Sequence, residues 1–102
     1  MRPEVDEVNL LARRLHGTDA DATEYTLKSL QEHVDEVREL LDAKDPHWKA
    51  EVVDIIIHAL TLLRRGQVSD AAYEALMTRR LDRFIEKIGK GKGNYGKENS
   101  CC

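Results

Sequence analysis

The sequence is poor in the residues that would indicate a disulfide-stabilised or membrane-spanning protein. Cysteine occurs only twice, at Cys101 and Cys102, and proline only twice. Two adjacent cysteines at a chain end cannot bridge elements of a core, so no disulfide framework is predicted. No apolar run approaches the roughly 18 residues of a membrane-spanning helix, and the opening MRPEVDEV lacks the apolar segment of a signal peptide. We therefore expect a cytoplasmic protein without a membrane partner.

An excess of positive charge is also missing. The net charge of −3 argues against a general DNA- or RNA-binding protein, because such proteins need a positive surface. Hydrophobic residues make up 41% of the chain, charged residues 34% and aromatic residues 5%, which is typical of a soluble helical protein. A chain of 102 residues can build one core but not two. We predict a single helical bundle domain over residues 1–90 and a Gly- and Lys-rich C-terminal tail over residues 91–102.

Helix start and stop signals divide the chain into four segments. These signals are proline in a first turn, Asp or Ser as an N-cap, and glycine after a last turn. The predicted boundaries are Pro3 to Gly17, Asp21 to about Ala43, Asp45-Pro46 to Gly66, and Ser69 to Gly89. Thr18 and Asp19 compete with Asp21 as the start of the second helix. Short links favour antiparallel neighbours, so the predicted fold class is all-α, a four-helix antiparallel bundle.

The third predicted helix is rich in Val, Ile and Leu, yet one of its edges is polar. His47, Glu51, Asp54 and His58 follow at spacings of four, three and four, which aligns them along a helix with about 100° per residue. A buried carboxylate is costly unless it is paired, hydrogen-bonded or bound to a metal ion. Either a structural ion-pair network or a metal ion would satisfy these acids. The arginines available for a network are Arg13, Arg14, Arg64 and Arg65.

The second predicted helix carries acids as well. Its segment LQEHVDEV places Glu32 and Glu36 one turn apart, with His33 between them. If the second and third helices pack side by side, their carboxylates converge on one cavity, where Mg²⁺ would find the oxygen ligands that it prefers. Without a metal ion the acids would repel one another and at least one pKa would rise. Alternatively, Glu32, Asp35 and Glu39 form an acidic face in contact with solvent.

These acids resemble a known signature. The segments EHVDEV, from Glu32, and EVVDII, from Glu51, are similar to the EExxE…ExxD motif of the all-α nucleoside triphosphate pyrophosphohydrolases. That superfamily includes MazG-like enzymes, dimeric dUTPases and phosphoribosyl-ATP pyrophosphohydrolase, and the resemblance covers about residues 20 to 97. The segment EVVDIIIHALTLLRRGQVSDAAYEAL looks most similar to phosphoribosyl-ATP pyrophosphohydrolase, whereas KIGKGKGNYGK resembles the C-terminus of MazG-like proteins.

The resemblance implies an enzyme, a Mg²⁺-dependent nucleotide pyrophosphohydrolase. Such an enzyme cleaves a nucleoside triphosphate, or phosphoribosyl-ATP, between the α- and β-phosphates to a monophosphate and pyrophosphate. Glu36, Glu51 and Asp54 would be metal ligands, with Glu32 as a further ligand or a water-orienting base, so that Glu32 and Glu36 are the catalytic pair. Superfamily members usually build each site across several subunits, which implies a MazG-like bundle completed in a homodimer or homotetramer.

One position departs from the motif. His33 stands where the family has the second Glu of EExxE, and histidine is a poor ligand for Mg²⁺ but a good one for Mn²⁺, Co²⁺ or Zn²⁺. Mn²⁺ is therefore the alternative cofactor, and a non-catalytic nucleotide-binding or assembly module with a degenerate metal site is the alternative function. A second register would pair Glu32 with Asp35 as ExxD. A zinc-binding domain using His33, His47 and His58 is a third hypothesis.

The remaining candidates would bind the nucleotide. Trp48, at the start of the third helix, is a candidate for stacking on a base, and the last quarter of the chain is basic, as a triphosphate site requires. The candidate substrate-binding residues are His33, Trp48, Lys87, Asn94, Tyr95 and Lys97.

Overall fold

The computed structural model describes residues 1–91, and within this range every regular element is an α-helix. The helices are α1 (Glu4–His16), α2 (Asp19–Asp42), α3 (Trp48–Arg65) and α4 (Asp70–Gly91). The prediction of an all-α protein is confirmed for these residues. None of the four helices has the length and apolar character needed to cross a membrane.

The chain divides into two compact units. The first, residues 1–68, contains α1, α2 and α3, and the second begins at Ser69 and contains α4. Within the first unit α2 packs along α3, and α1 packs against both. Thr26 of α2 contacts Arg65 and His33 contacts Glu51, so α2 and α3 are antiparallel, as predicted. The role of α4 as the fourth helix of one bundle stays a prediction.

Capping residues fix the ends of three helices. Gly17, with φ +90°, follows the last residue of α1, as the sequence predicts. Thr18 is the N-cap of α2, because its hydroxyl accepts a hydrogen bond from the Asp21 backbone N–H at 3.1 Å. The start therefore lies at one of the two competing positions rather than at Asp21. Ser69 caps α4 as predicted, accepting from the Ala72 N–H at 3.2 Å.

The third helix begins later than the pair Asp45-Pro46 predicts. The Asp45 side chain accepts a hydrogen bond from the His47 N–H at 2.9 Å, which closes a local turn. The next two N–H groups, of Trp48 and Lys49, donate three residues back to Asp45 and Pro46 at 3.4 and 3.2 Å. This tight turn occupies the residues before α3, so its first α-helical residue is Trp48.

The link after α2 contains a non-glycine residue in the left-handed region. The Asp45 N–H donates to the Leu40 carbonyl at 2.9 Å and the Lys44 N–H donates to the Leu41 carbonyl at 3.1 Å. This pair of bonds is a Schellman motif, which places Lys44 at φ 58°.

Glycine at position 44 would relieve the strain of that φ. Because left-handed backbone costs a side-chain-bearing residue roughly 1 kcal/mol, we expect Lys44→Gly to raise the free energy of unfolding by about 0.5–1 kcal/mol. Lys44→Ala is the matched control, since it removes the same side chain and keeps the strain. Urea denaturation followed by circular dichroism measures both. Equal effects of the two substitutions would contradict the prediction.

The end of α3 repeats the motif one residue later than the glycine signal suggests. The Val68 N–H donates to the Leu63 carbonyl at 3.1 Å, and the Gln67 N–H donates to the Arg64 carbonyl at 2.9 Å. Gln67 therefore has φ 69°, whereas Gly66, the predicted stop, has φ −80°. The helix ends where predicted, but Gly66 does not adopt the conformation that favours glycine.

Polar and small side chains occupy one edge of α2 and one edge of α3, and several of them contact one another across the two helices. We call these ten positions, spaced by three and four residues on each helix, the polar seam. They are Ala22, Thr26, Ser29, His33 and Glu36 on α2, and Glu51, Asp54, His58, Thr61 and Arg65 on α3. Thr26, Ser29 and Thr61 are 2–5% exposed. The larger apolar residues of α2, such as Leu27 and Val34, remain 48% and 45% exposed. The residues of α2 that are buried are therefore small or polar: Ala22, Thr26 and Ser29.

One arginine joins the three helices at one end of the polar seam. The Arg65 guanidinium donates to the hydroxyls of Thr23 and Thr26 at 3.2 and 3.1 Å and to the Asn9 Oδ1 at 3.0 Å. Asn9 in turn donates to the Thr61 carbonyl at 3.0 Å. We call this set of contacts the Arg65 network. Because its acceptors are neutral oxygens, it orders the helices without pairing the charge with a carboxylate.

Candidate metal centre

The other end of the polar seam holds a cluster of potential metal ligands. His33 and Glu36 lie almost one turn apart on α2, and Glu51 lies in the first turn of α3. One ligand atom from each of the three residues lies within 4.8 Å of the other two. The antiparallel packing of the helices brings these side chains together, although His33 and Glu51 are 18 positions apart in the sequence.

Glu51 is the buried centre of the cluster. Its residue exposure is 7%, and its Oε1 lies 2.6 Å from the His33 Nδ1. Its other oxygen, Oε2, lies 3.5 Å from the His47 Nε2, one helical turn back. The Asp54 Oδ2 lies 3.9 Å from the same His33 nitrogen. A carboxylate out of water is costly, and here two imidazoles offset that cost.

The contacts within the cluster shift the pKa values of His33, Glu36 and Glu51. The hydrogen bond with Glu51 raises the pKa of His33, against the opposing effect of its partial burial. The same hydrogen bond lowers the pKa of Glu51. The negative charge of Glu51 raises the pKa of Glu36. A cation near Glu36 and Glu51 would relieve this repulsion, as a proton does.

A second histidine lies beside the cluster. The His58 ring centroid is 5.2 Å from that of His33, with 32° between the planes. Burial is the main cause that lowers the pKa of His58, and the charge of His33 adds to it. His58 is therefore favoured in its neutral form. The neighbouring acids favour the protonated, cationic form of His33.

The structure brings together some of the predicted metal ligands and not others. Glu36 and Glu51 are both in the cluster, and Asp54 lies at its edge with 44% of its side chain exposed. Glu32 is exposed and is not among the clustered residues. His33, predicted to bind substrate, lies in the cluster and contributes one of its neighbouring potential ligand atoms; its substrate-binding role stays a prediction.

The predicted nucleotide-binding residues are spread over different parts of the chain. Trp48 is half-buried at the start of α3, where the Lys49 Nζ lies 6.0 Å from its ring centroid. Lys87 is half-buried in α4, in the second unit. Asn94, Tyr95 and Lys97 lie outside the described residues.

Among the described contacts, Glu51 of α3 pairs with histidines rather than with the arginines that the sequence offered. Arg13 contacts Asp19 at 3.7 Å and Arg64 contacts Asp6 at 3.0 Å. Histidines 33 and 47 take the place of arginine at Glu51. The spacing of four between His47 and Glu51 could have predicted this contact, since side chains so spaced on a helix are neighbours.

Comparisons of the chain with protein-family models, with curated proteins and with solved structures gave no match.

Proposed function

We propose that this protein is a divalent-metal-dependent nucleotide pyrophosphohydrolase of the MazG-like kind, acting in the cytoplasm. Its reaction is hydrolysis of a nucleoside triphosphate, or of phosphoribosyl-ATP, between the α- and β-phosphates. The observation that carries the proposal is the convergence of His33, Glu36 and Glu51 from two helices, at the positions where the sequence resembles EExxE…ExxD.

The residues present fit a divalent cation. Two oxygens on opposite sides of an ion at 2.1 Å lie about 4.2 Å apart, and the three ligand atoms here lie within 4.8 Å of one another. Rotation about side-chain bonds is enough to bring them to one ion. Asp54, on the same edge of α3, is close enough to add a further carboxylate.

Each residue has a role in the proposed reaction. Glu36, Glu51 and Asp54 hold the cation, which would neutralise phosphate charge and lower the pKa of a bound water. His33, whose Nδ1 lies 2.6 Å from the Glu51 Oε1, borders the proposed cation site. Glu32, one turn before Glu36, is the residue proposed to accept a proton from the attacking water. Its exposure leaves room for the phosphates beside it.

The decisive experiment is a substrate panel. Nucleoside triphosphates and phosphoribosyl-ATP are incubated with the protein and Mg²⁺ or Mn²⁺, and pyrophosphate and nucleotide products are quantified. We expect equal amounts of pyrophosphate and nucleoside monophosphate from at least one substrate. Release of orthophosphate with a diphosphate product, or no turnover with either metal ion, would refute the proposal.

A non-catalytic nucleotide-binding or assembly module is the second candidate. The His33–Glu51 contact favours it, because a carboxylate satisfied by an imidazole needs no cation. In that case a nucleotide would raise the melting temperature without being consumed, and the same panel reports both quantities.

Exposed apolar side chains support a further proposal, that the protein is a homodimer or homotetramer. A groove of about 300 Å³ between α1 and α3 has Arg2 and Glu4 at its side and is otherwise lined by six apolar residues. They are Val5, Val8, Val53, Ile56, Ile57 and Leu60. Val53 and Ile56 are 52% and 51% exposed, and a contiguous apolar patch of this kind is typical of an interface.

Light scattering coupled to gel filtration tests this proposal. We expect a mass of at least twice the 11.6 kDa of one chain. Ile56→Asp should shift the mass towards one chain, because a carboxylate in an apolar interface is costly. Lys28→Asp, on the exposed face of α2, should leave the mass unchanged. A wild-type mass of one chain would exclude the oligomer.

A further inference from the structure

The ligand cluster contains a nitrogen where the resemblance predicts an oxygen. The His33 Nδ1 lies 2.6 Å from the Glu51 Oε1 and 3.9 Å from the Asp54 Oδ2. Glu36, three residues later on the same helix, completes the group of neighbouring ligand atoms. Any cation that contacts Glu36 and Glu51 therefore also lies within reach of an imidazole.

The position of His33 is set by its surroundings. Only 21% of its side chain is exposed, and its ring lies against His58 of α3. Both carboxylates that it approaches, from Glu51 and Asp54, are on α3, so the ring faces the polar seam rather than solvent. A side chain held in this way is a member of the site and not a surface histidine.

Nitrogen changes which cation the site prefers. Mg²⁺ is a hard ion that favours an octahedron of oxygens and gives up its waters reluctantly. Mn²⁺ suits the same carboxylates and, although it has the lowest affinity of the divalent first-row transition metals, it accepts an imidazole ligand more readily than Mg²⁺ does. We propose that His33, Glu36, Glu51 and Asp54 form a mixed nitrogen and oxygen site that binds Mn²⁺ in preference to Mg²⁺, with the His33 imidazole as a direct ligand. This inference uses the metal site of the proposed function but does not require hydrolysis.

Electron spin echo spectroscopy of Mn²⁺ added to the metal-free full-length protein tests the ligand directly. We expect modulation from a directly bound ¹⁴N nucleus in the wild type. The signal should be absent in His33→Glu, which restores the acid of the motif. A wild-type spectrum without nitrogen modulation would overturn the inference, and it does so without relying on any variant.

Titration calorimetry with Mn²⁺ alone and with Mg²⁺ alone measures the preference. We expect the ratio of the two dissociation constants to favour Mn²⁺ by at least tenfold in the wild type and to fall by at least tenfold in His33→Glu. Gln31→Glu is the matched control, because it adds the same carboxylate about 200° around α2 from His33. It should leave the ratio unchanged. The same ratio in the wild type and in His33→Glu would overturn the inference.

The outcomes separate this inference from the proposed function. Nitrogen-coordinated Mn²⁺ without turnover of any nucleotide refutes the pyrophosphohydrolase and leaves the mixed-ligand site standing. Turnover with Mg²⁺, together with bound Mn²⁺ that has no nitrogen ligand, would support the pyrophosphohydrolase and overturn the mixed-ligand site.

Discussion

Replacing Glu51 with glutamine should lower the rate of nucleotide hydrolysis by about 100-fold or more while the protein stays folded. Glu51 is 7% exposed and is the residue that both His33 and His47 contact, so its charge is at the centre of the proposed site. Glutamine has the same shape but binds a cation only weakly. Loss of one group that stabilises transition-state charge typically costs a factor of about 10²–10³.

Two measurements together test whether Glu51 acts through a metal site. Pyrophosphate release reports turnover, and the melting temperature with and without Mn²⁺ reports the metal site. We expect Mn²⁺ to raise the melting temperature of the wild type and not that of Glu51→Gln. If the variant retained both wild-type turnover and the Mn²⁺ effect, Glu51 would be a structural acid.

Asp35→Asn serves as the matched control for charge removal. Asp35 is exposed on α2 and lies outside the ligand cluster, so its substitution should change turnover by less than about twofold. The same variant also decides between the two registers of the motif. A loss as large as that of Glu51→Gln would favour the register that pairs Glu32 with Asp35.

Replacing Arg65 with alanine should destabilise the protein by about 2–4 kcal/mol. The substitution removes three hydrogen bonds from a charged donor, and such bonds contribute about 1.5–3 kcal/mol each before the cost of burying the guanidinium is subtracted. It also leaves Thr26, which is 3% exposed, and Asn9 without their shared donor. Arg65→Lys should recover only part of the loss, because one ammonium cannot match the planar fork.

Urea denaturation of Arg65→Ala measures this effect, and Arg14→Ala is the control. Arg14 is an exposed arginine of α1, so its removal should change the free energy of unfolding by at most about 0.5 kcal/mol. A double-mutant cycle of Arg65→Ala with Asn9→Ala isolates the contact between them, for which we expect a coupling of about 1 kcal/mol. Equal effects of the two arginine substitutions would show that the Arg65 network does not stabilise the helices.

Local signals predicted the helices because each end depends on neighbouring residues. Gly17 and Ser69 act at the positions where the sequence predicts a stop and a cap. The errors are local too. Which of three nearby polar residues caps α2, and whether Asp45 caps α3 or closes a turn before it, depends on how the preceding link enters the helix. The spacing of residues in the sequence does not determine how the link enters the helix.

Only part of the candidate site can be predicted from the sequence pattern. A helical wheel places Glu51 with Asp54 and places His33 and Glu36 nearer the apolar stripe than Glu32; in the structure His33 is half-buried, whereas Glu32 and Glu36 are both exposed. The contact of His33 with Glu51 depends on the rotation of α2 against α3, which a single helix does not encode. The Arg65 network joins residues 39–56 positions apart, so no periodicity could reveal it.

The polar seam has a consequence for the thermal behaviour of the protein. The heat capacity change of unfolding comes mainly from apolar surface that water newly reaches. In the first unit, Val5 and Ala22 are the hydrophobic residues that are buried, and larger ones such as Val53 and Ile56 stay about half exposed, so unfolding of a lone chain exposes less new apolar surface than unfolding of a protein with a fully buried apolar core. The stability of a lone chain should therefore curve less with temperature than is usual for a domain of this size. Apolar surface that subunits cover when they assemble would add to the curvature.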